Sequence, residues 1–169
     1  MKKILMFLIF FVINYGFMYK EVYGIERNKE ININFDRLTI EDGLSQTSVE
    51  YIYQDNLGYI WFATNDGLNK FDGENFEVIR VDPHEENTLS ANYITCIIQD
   101  KEEYLWVGTI NGLNRINLES GEIKQYLSDG KSGSLSNYGI CEIFIDSKDR
   151  MWVSTLDGVN NYNKEKDIF

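Results

Sequence analysis

Nucleophilic, acid–base and metal chemistry each need a particular residue set, and this chain is poor in most of them. His84 is the only histidine. It sits beside Glu85 and Glu86, and reads as an exposed loop residue before a metal ligand. A Ser-His-Asp triad needs an imidazole held between a hydroxyl and a carboxylate, and no G-x-S-x-G turn offers the serine. No G-x-x-x-x-G-K-[ST] loop is present to cradle phosphates. Two cysteines and one histidine leave little for a zinc site or a disulfide scaffold. Carboxylates are abundant, but spacing marks out no pair as acid and base. The sequence therefore assigns no catalytic residue, no metal and no cofactor. Its 27 acidic against 16 basic residues give a net charge of −11, which repels phosphate backbones and argues against nucleic acid as a partner. Binding through polar and aromatic side chains on loops is what remains.

Which loops those are depends on an internal repeat. Trp61, Trp106 and Trp152 lie 45 and 46 residues apart, as do Gly67, Gly112 and Gly158. Aligned on the tryptophans, 29 columns run without a gap from Leu44-Ser45, Leu89-Ser90 and Leu135-Ser136 to Asp72, Asn117 and Asn163. Eight columns are identical in all three copies. They hold the Leu-Ser pair, Ile (Ile52, Ile97, Ile143), Asp (Asp55, Asp100, Asp146), Trp, Thr (Thr64, Thr109, Thr155), Gly, and Asn (Asn69, Asn114, Asn160).

Each copy reads as an antiparallel meander. A first strand over Val49–Gln54, Ile94–Gln99 and Ile140–Ile145 is apolar on both faces, as for a strand buried on two sides. Asp at i and Gly at i+3 in Asp55-Asn56-Leu57-Gly58 make a type I turn. A second strand over Tyr59–Thr64, Tyr104–Thr109 and Arg150–Thr155 carries the tryptophans. Two residues on, Ala63, Gly108 and Ser154 leave room for a large ring of an adjacent copy, so the indoles read as packing groups. Asp66-Gly67, Asn111-Gly112 and Asp157-Gly158 allow the positive φ of tight hairpins. Third strands follow over Leu68–Phe71, Leu113–Ile116 and Val159–Tyr162, and fourth strands over Phe76–Val81 and Ile123–Leu127. Four strands in about 45 residues is the period of a β-propeller blade. The expected fold is all-β, with blades over 44–88, 89–134 and 135–169, the last incomplete.

In such a meander, the turns between strands two and three share one end with the long loops joining one blade to the next. Those loops run from Asp82 to Asn92 and from Ser128 to Tyr138. The candidate ligand-face residues are therefore Asn65, Asp66, His84, Asn92, Asn111, Tyr138 and Asp157. Cys96 and Cys141 lie on first strands of neighbouring blades, one column apart and so on opposite faces, which predicts free buried thiols.

The strings DNLGYIWFATNDGLNKFD, DKEEYLWVGTINGLNRIN and DSKDRMWVSTLDGVNNYN resemble the two-component regulator propeller repeat, whose pattern runs roughly D-x-x-G-x-I-W-x-G-T-x-x-G-L-x-x-Y-D. FDRLTIEDGLSQTSV resembles the usual lead-in to its first blade. Ala63 and Ser154 depart from the family glycine of one column, and Glu103 and Asp149 from the turn glycine of another. The resemblance implies the input part of a membrane sensor. In such proteins an extracytoplasmic propeller senses a ligand, and a membrane-linked kinase or cyclase domain responds.

The N-terminus fits that address. Lys2 and Lys3 precede an unbroken apolar run from Ile4 to Ile13, and Val22 and Gly24 suit the −3 and −1 positions of a cleavage site. Residues 1–24 are expected to be a signal peptide or an N-terminal anchor. Residues 25–43 form a lead-in, with 31–38 aligning as an orphan outer strand. The expected product is the N-terminal fragment of an exported, periplasmic or cell-surface sensor, possessing an unidentified small-molecule or glycan ligand. Its other partners would be the remaining blades and an output domain. A secreted carbohydrate- or protein-binding propeller is the alternative, and a lyase-type enzyme a further one. Three blades leave two apolar faces uncovered, which further blades or self-assembly into a ring would cover.

Overall fold

The computed structural model describes residues 35–169. The expected signal peptide or anchor over 1–24, and the lead-in up to residue 34, lie outside the described residues. Arg37–Phe169 form one compact unit, distinct from Met1–Asp36. After a single 3-10 turn at Ile40–Asp42, the chain runs through eleven strands in three antiparallel sheets. Blade 1 is β1 (Val49–Gln54), β2 (Ile60–Thr64), β3 (Gly67–Phe71) and β4 (Phe76–Ile79). Blade 2 is β5 (Ile94–Gln99), β6 (Tyr104–Thr109), β7 (Gly112–Asn117) and β8 (Ile123–Tyr126). Blade 3 is β9 (Ile140–Ile145), β10 (Met151–Thr155) and β11 (Gly158–Asn161), followed by an isolated bridge between Asn163 and Ile168. Each sheet pairs its strands in chain order. Of the expected outer strand over 31–38, the described residues 35–38 join no ladder.

The turns form where the side chains permit them. Gly58 has φ +94°, and Glu103 and Asp149 occupy its column at +69° and +65°. The family glycine is thus replaced by residues that accept the same left-handed backbone, at a cost of about 1 kcal/mol each. Glu103 recovers part of that cost by accepting a hydrogen bond from the Asn56 side chain of blade 1 at 3.0 Å.

The core lies between sheets. β1 packs against β5, and β5 against β9, so the innermost strands stand side by side. Trp61, Ala63 and Leu68 of blade 1 bury against Leu89, Ile94, Ile97, Leu105, Val107 and Ile116 of blade 2. One repeat later, Cys96, Trp106, Leu113 and Tyr126 of blade 2 bury against Leu135, Ile140, Ile143, Met151 and Val153 of blade 3. The indole-bearing face of each blade therefore meets the aliphatic face of the next, in the same columns. Trp61 and Trp106 are 2% and 0% exposed, so each contributes most of its apolar area to one seam.

Two expectations change. The first strands were expected to be buried on both faces, but only β5 approaches that pattern, while β1 and β9 alternate with exposed positions. The reason is that only blade 2 has a neighbour on each side. The small residue after the tryptophan makes room for an isoleucine of the next blade, not for a ring. A Cβ on Gly108 would lie 2.5 Å from the Cys96 sulfur and 2.7 Å from Cγ2 of Ile140.

Gly108→Ala is expected to cost about 1–3 kcal/mol by overpacking this seam. Ser154→Ala, in the same column but facing no further blade, is expected to stay within about 0.5 kcal/mol. Denaturant unfolding of the two variants checks the contrast.

Candidate functional site

The repeated polar residues are tied up before any ligand arrives. Asp55, Asp100 and Asp146 each accept the indole N–H of their own blade's tryptophan, at 2.8, 2.6 and 3.2 Å. Their other carboxylate oxygen accepts the backbone N–H four residues on, from Tyr59, Tyr104 and Arg150. One side chain thus closes the turn and satisfies a buried indole. Burial pushes the Asp100 carboxyl up despite its hydrogen bonds, whereas the Arg150 guanidinium beside Asp146 holds that carboxyl well below the usual range.

The Ser, Thr, Asn and Gly columns form a second lock. The Asn69 side-chain oxygen accepts the Ser45 N–H at 2.8 Å, and its amide donates to the Ser45 hydroxyl at 2.8 Å. Ser45 meets the Thr64 hydroxyl at 2.9 Å, and Thr64 donates to the Gly67 carbonyl at 2.9 Å. Blades 2 and 3 repeat the set through Ser90, Thr109 and Asn114, then Ser136, Thr155 and Asn160. The lock clamps the segment entering each blade onto the turn between its second and third strands. Among the described residues no buried side-chain polar atom lacks a partner.

The turns between second and third strands, which carry several of the candidate residues, bond to the segments that enter the blades. The turn at Gly67 donates to the Asn92 carbonyl at 2.8 Å, Ile110 to Tyr93 at 3.2 Å, and Leu156 to Gly139 at 3.0 Å. Asp66 is engaged by Arg80, whose guanidinium makes paired bonds of 3.2 and 3.0 Å and holds the carboxyl below its usual range. The Asn92 side chain accepts the Val81 N–H at 2.7 Å and so braces its own loop. The Asn111 amide donates to the Ser90 carbonyl at 3.2 Å. Asn65, His84, Tyr138 and Asp157 are exposed, with Tyr138 at 56%. The more open side chains are thus His84, Tyr138, Asn65 and Asp157, while Asp66, Asn92 and Asn111 also hold loop geometry. Among the described residues, no group of three or more His, Cys, Asp or Glu is placed to hold a metal. Both cysteines are free. Cys96 is buried, and burial pushes its thiol up to about 12, but Cys141 is exposed, contrary to expectation, because it faces away from the blade 2 seam.

One cluster had no signal among the identical columns. Asp167 takes the column of Gly121 and shares its positive φ, at +54° against +73°. Its carboxylate accepts bonds from Tyr126, Tyr162 and Lys124, and from Arg115 at 3.1 Å. Arg115, Lys124 and Tyr126 belong to blade 2, so the carboxylate pins blade 3 to it. Burial alone would raise the Asp167 pKa. The Lys124, Tyr126 and Tyr162 hydrogen bonds and the Arg115 charge outweigh it and hold the carboxyl far below the usual range. Trp106 stacks on Tyr126 and meets Tyr162 edge-on beneath this knot.

A cavity of about 340 Å³ opens beside it, lined in part by Tyr126, Asp129, Lys131, Ser134, Asp167 and Phe169. None of the seven candidate residues lines it. Its place in the repeat is that of an outer strand. In blade 2 the Ile123 N–H donates to Asn87, and Gln125 to the Thr88 carbonyl. In blade 3 the matching bond runs from Phe169 to Gly133, whose column is that of Asn87.

Two seams built from the same columns, meander sheets and side-by-side inner strands define this as a set of β-propeller blades. The model of the two-component regulator propeller family matches residues 43–66 and 88–111, in the first and second blades. The chain is 30% identical, with a TM-score of 0.74, to the extracellular domain of a protein from B. thetaiotaomicron described as a hybrid two component system, over 79% of this chain and 19% of that one. A second such extracellular domain from the same organism matches at 25% identity and a TM-score of 0.60, over 79% of this chain and 19% of its own. Histidine kinase P4 of Formosa agariphila is 48% identical over 59 residues, covering 35% of this chain and 4% of the kinase. The chain thus spans about a fifth of the solved domains it resembles and a small part of the kinase.

Asn114→Ala, which removes a fully buried amide and leaves the part-buried Ser90 N–H without its acceptor, is expected to cost about 1–3 kcal/mol. Asn160→Ala, in the more open blade 3, is expected to cost less than half of that in the same denaturant titration. For Asp167, the folded pKa lies below the unfolded value of about 3.9, so its contribution is present above that pH and fades as acid protonates the folded carboxyl. The drop in melting temperature between pH 7 and pH 3 is therefore expected to be smaller for Asp167→Asn than for the wild type.

Proposed function

We propose that these blades belong to the input region of an extracytoplasmic sensor in a two-component-type signalling protein, and that the ligand binds at the end bearing the turns between second and third strands. The observation that carries this reading is the division of labour in the repeat. All eight identical columns go to seams, turns and locks, while the loops at that one end differ from blade to blade and keep His84, Tyr138, Asn65 and Asp157 open. A rigid scaffold with variable loops is the usual arrangement for recognition. Similarity to extracellular domains of hybrid two-component systems supports an exported location and a non-enzymatic role. Exposed polar groups interleaved with aromatic side chains suit a small polar molecule or a glycan. Further blades of a longer protein would cover the outer faces, and a membrane-linked domain would read the motion. A secreted binding module without output is the second reading, and the same loop face serves it.

A thermal-shift screen of the chain against mono- and oligosaccharides and small polar metabolites tests the site. The expected outcome is a stabilising compound whose shift is lost in Tyr138→Ala or Asp157→Ala and kept in Asp72→Ala, at the opposite end. A shift that depends on Asp72 and ignores Tyr138 and Asp157 would overturn the placement.

A further inference from the structure

Four large apolar side chains stand open to solvent at the end that bears the turns between second and third strands. Ile110 and Leu156 are the first residues of those turns in blades 2 and 3, and are 47% and 71% exposed. Leu127 follows β8 at 44%, and Tyr138 lies in the segment entering blade 3 at 56%. Contacts tie them into one patch. A Cβ on Gly112 would lie 2.7 Å from Cδ2 of Leu127, so Leu127 packs on the turn of Ile110. A Cβ on Gly139 would lie 2.7 Å from Cδ1 of Leu156, and the Leu156 N–H bonds the Gly139 carbonyl, so Leu156 sits beside the segment of Tyr138. The two halves meet across the seam, where Ile140 packs on Gly108, just ahead of Ile110.

The repeat does not require this patch. Blade 1 has Asn65 in the column of Ile110 and Leu156, and Arg80 in that of Leu127, while blade 2 has Asn92 in that of Tyr138. Further blades would not cover it, because a seam joins sheet faces and leaves the turns at their ends outside. Exposed apolar groups gathered in one place mark an interaction surface. Charge selects the partner. Arg80 and Lys131, the cations of the neighbouring loops, are already paired with Asp66 and Asp129 at 3.0 and 2.7 Å. Asp157, directly after Leu156, has no ion-pair partner among the described residues. The whole chain carries a net charge of −11. An acidic surround favours a basic partner. A patch spread over the tips of two blades suits an extended partner more than a molecule held in one pocket. We infer that this end, taken above as the recognition end, docks a protein segment that presents apolar side chains flanked by lysine or arginine.

Fluorescence anisotropy of the full chain with a labelled amphipathic peptide of leucine and lysine tests this, beside a peptide of the same pattern made of leucine and glutamate. The lysine peptide is expected to bind, and to bind about tenfold more weakly to Ile110→Asn and to Leu156→Asn. Both variants carry the residue of the blade 1 column, so the far-UV spectrum is expected to be unchanged. Leu127→Arg, again the blade 1 residue, replaces either variant if its spectrum changes. Ile52→Ser and Phe144→Ser, at exposed positions on the outer sheet faces, are expected to leave the affinity as it is. No binding, equal binding of the glutamate peptide, or a loss that follows Ile52 or Phe144 in place of Ile110 and Leu156 would overturn the docking surface. If a small compound then still gives a thermal shift that depends on Tyr138 and Asp157, the ligand reading stands without it.

Discussion

The seam between an indole-bearing face and an aliphatic face is the contact on which the rest of the molecule depends. A single four-stranded sheet of this size has no core of its own, since each blade is one layer thick. Trp61 becomes buried only because Ile94, Ile97 and Val107 lie opposite, and Trp106 only because Ile140, Ile143 and Val153 do. Stability is therefore a property of neighbouring pairs. Blade 2, covered on both sides, holds the most completely buried strands, while blades 1 and 3 each leave a face to solvent.

The polar columns serve the same end. An indole buried at a seam brings an N–H that must be satisfied, and the turn aspartate does so while closing the turn that precedes the strand. The Ser–Thr–Asn lock fixes where the chain enters each blade, which sets the register of the first strand against its neighbour. Because these groups bond to one another, they are not free to bind anything else. The exposed side chains of Asn65, His84, Tyr138 and Asp157 lie outside the eight identical columns.

The blade 2–blade 3 contact is reinforced beyond its apolar seam. Asp167, held in a left-handed turn, draws Arg115, Lys124, Tyr126 and Tyr162 around one carboxylate. Blades 1 and 2 are joined by a lighter polar bridge, in which Asn56 exchanges hydrogen bonds with Gln99 and Glu103. The repeat is thus uniform in its seams and individual in its polar fastenings.

Much of this could be read from the residues alone. The period, the alternation and the Asp-Gly and Asn-Gly turns determined eleven strands nearly to the residue, because each signal is local and is stated three times over. β1, β5 and β9 match expectation at both ends. Meander topology brings the turns between second and third strands beside the segments that join one blade to the next, and the backbone bonds from Gly67 to Asn92, Ile110 to Tyr93 and Leu156 to Gly139 show it. What a local pattern cannot carry is the identity of the partner across space. That Asp100 would hold the Trp106 indole, that Gly108 makes way for Ile140, that Arg80 occupies Asp66, and that Asp167 would gather three donors from another blade were decided by how the sheets stack. The sequence by itself determined the blades, because backbone conformation answers to near neighbours. Only the tertiary structure decided which polar groups are engaged and which faces stay open, because those depend on distances between residues far apart in the chain.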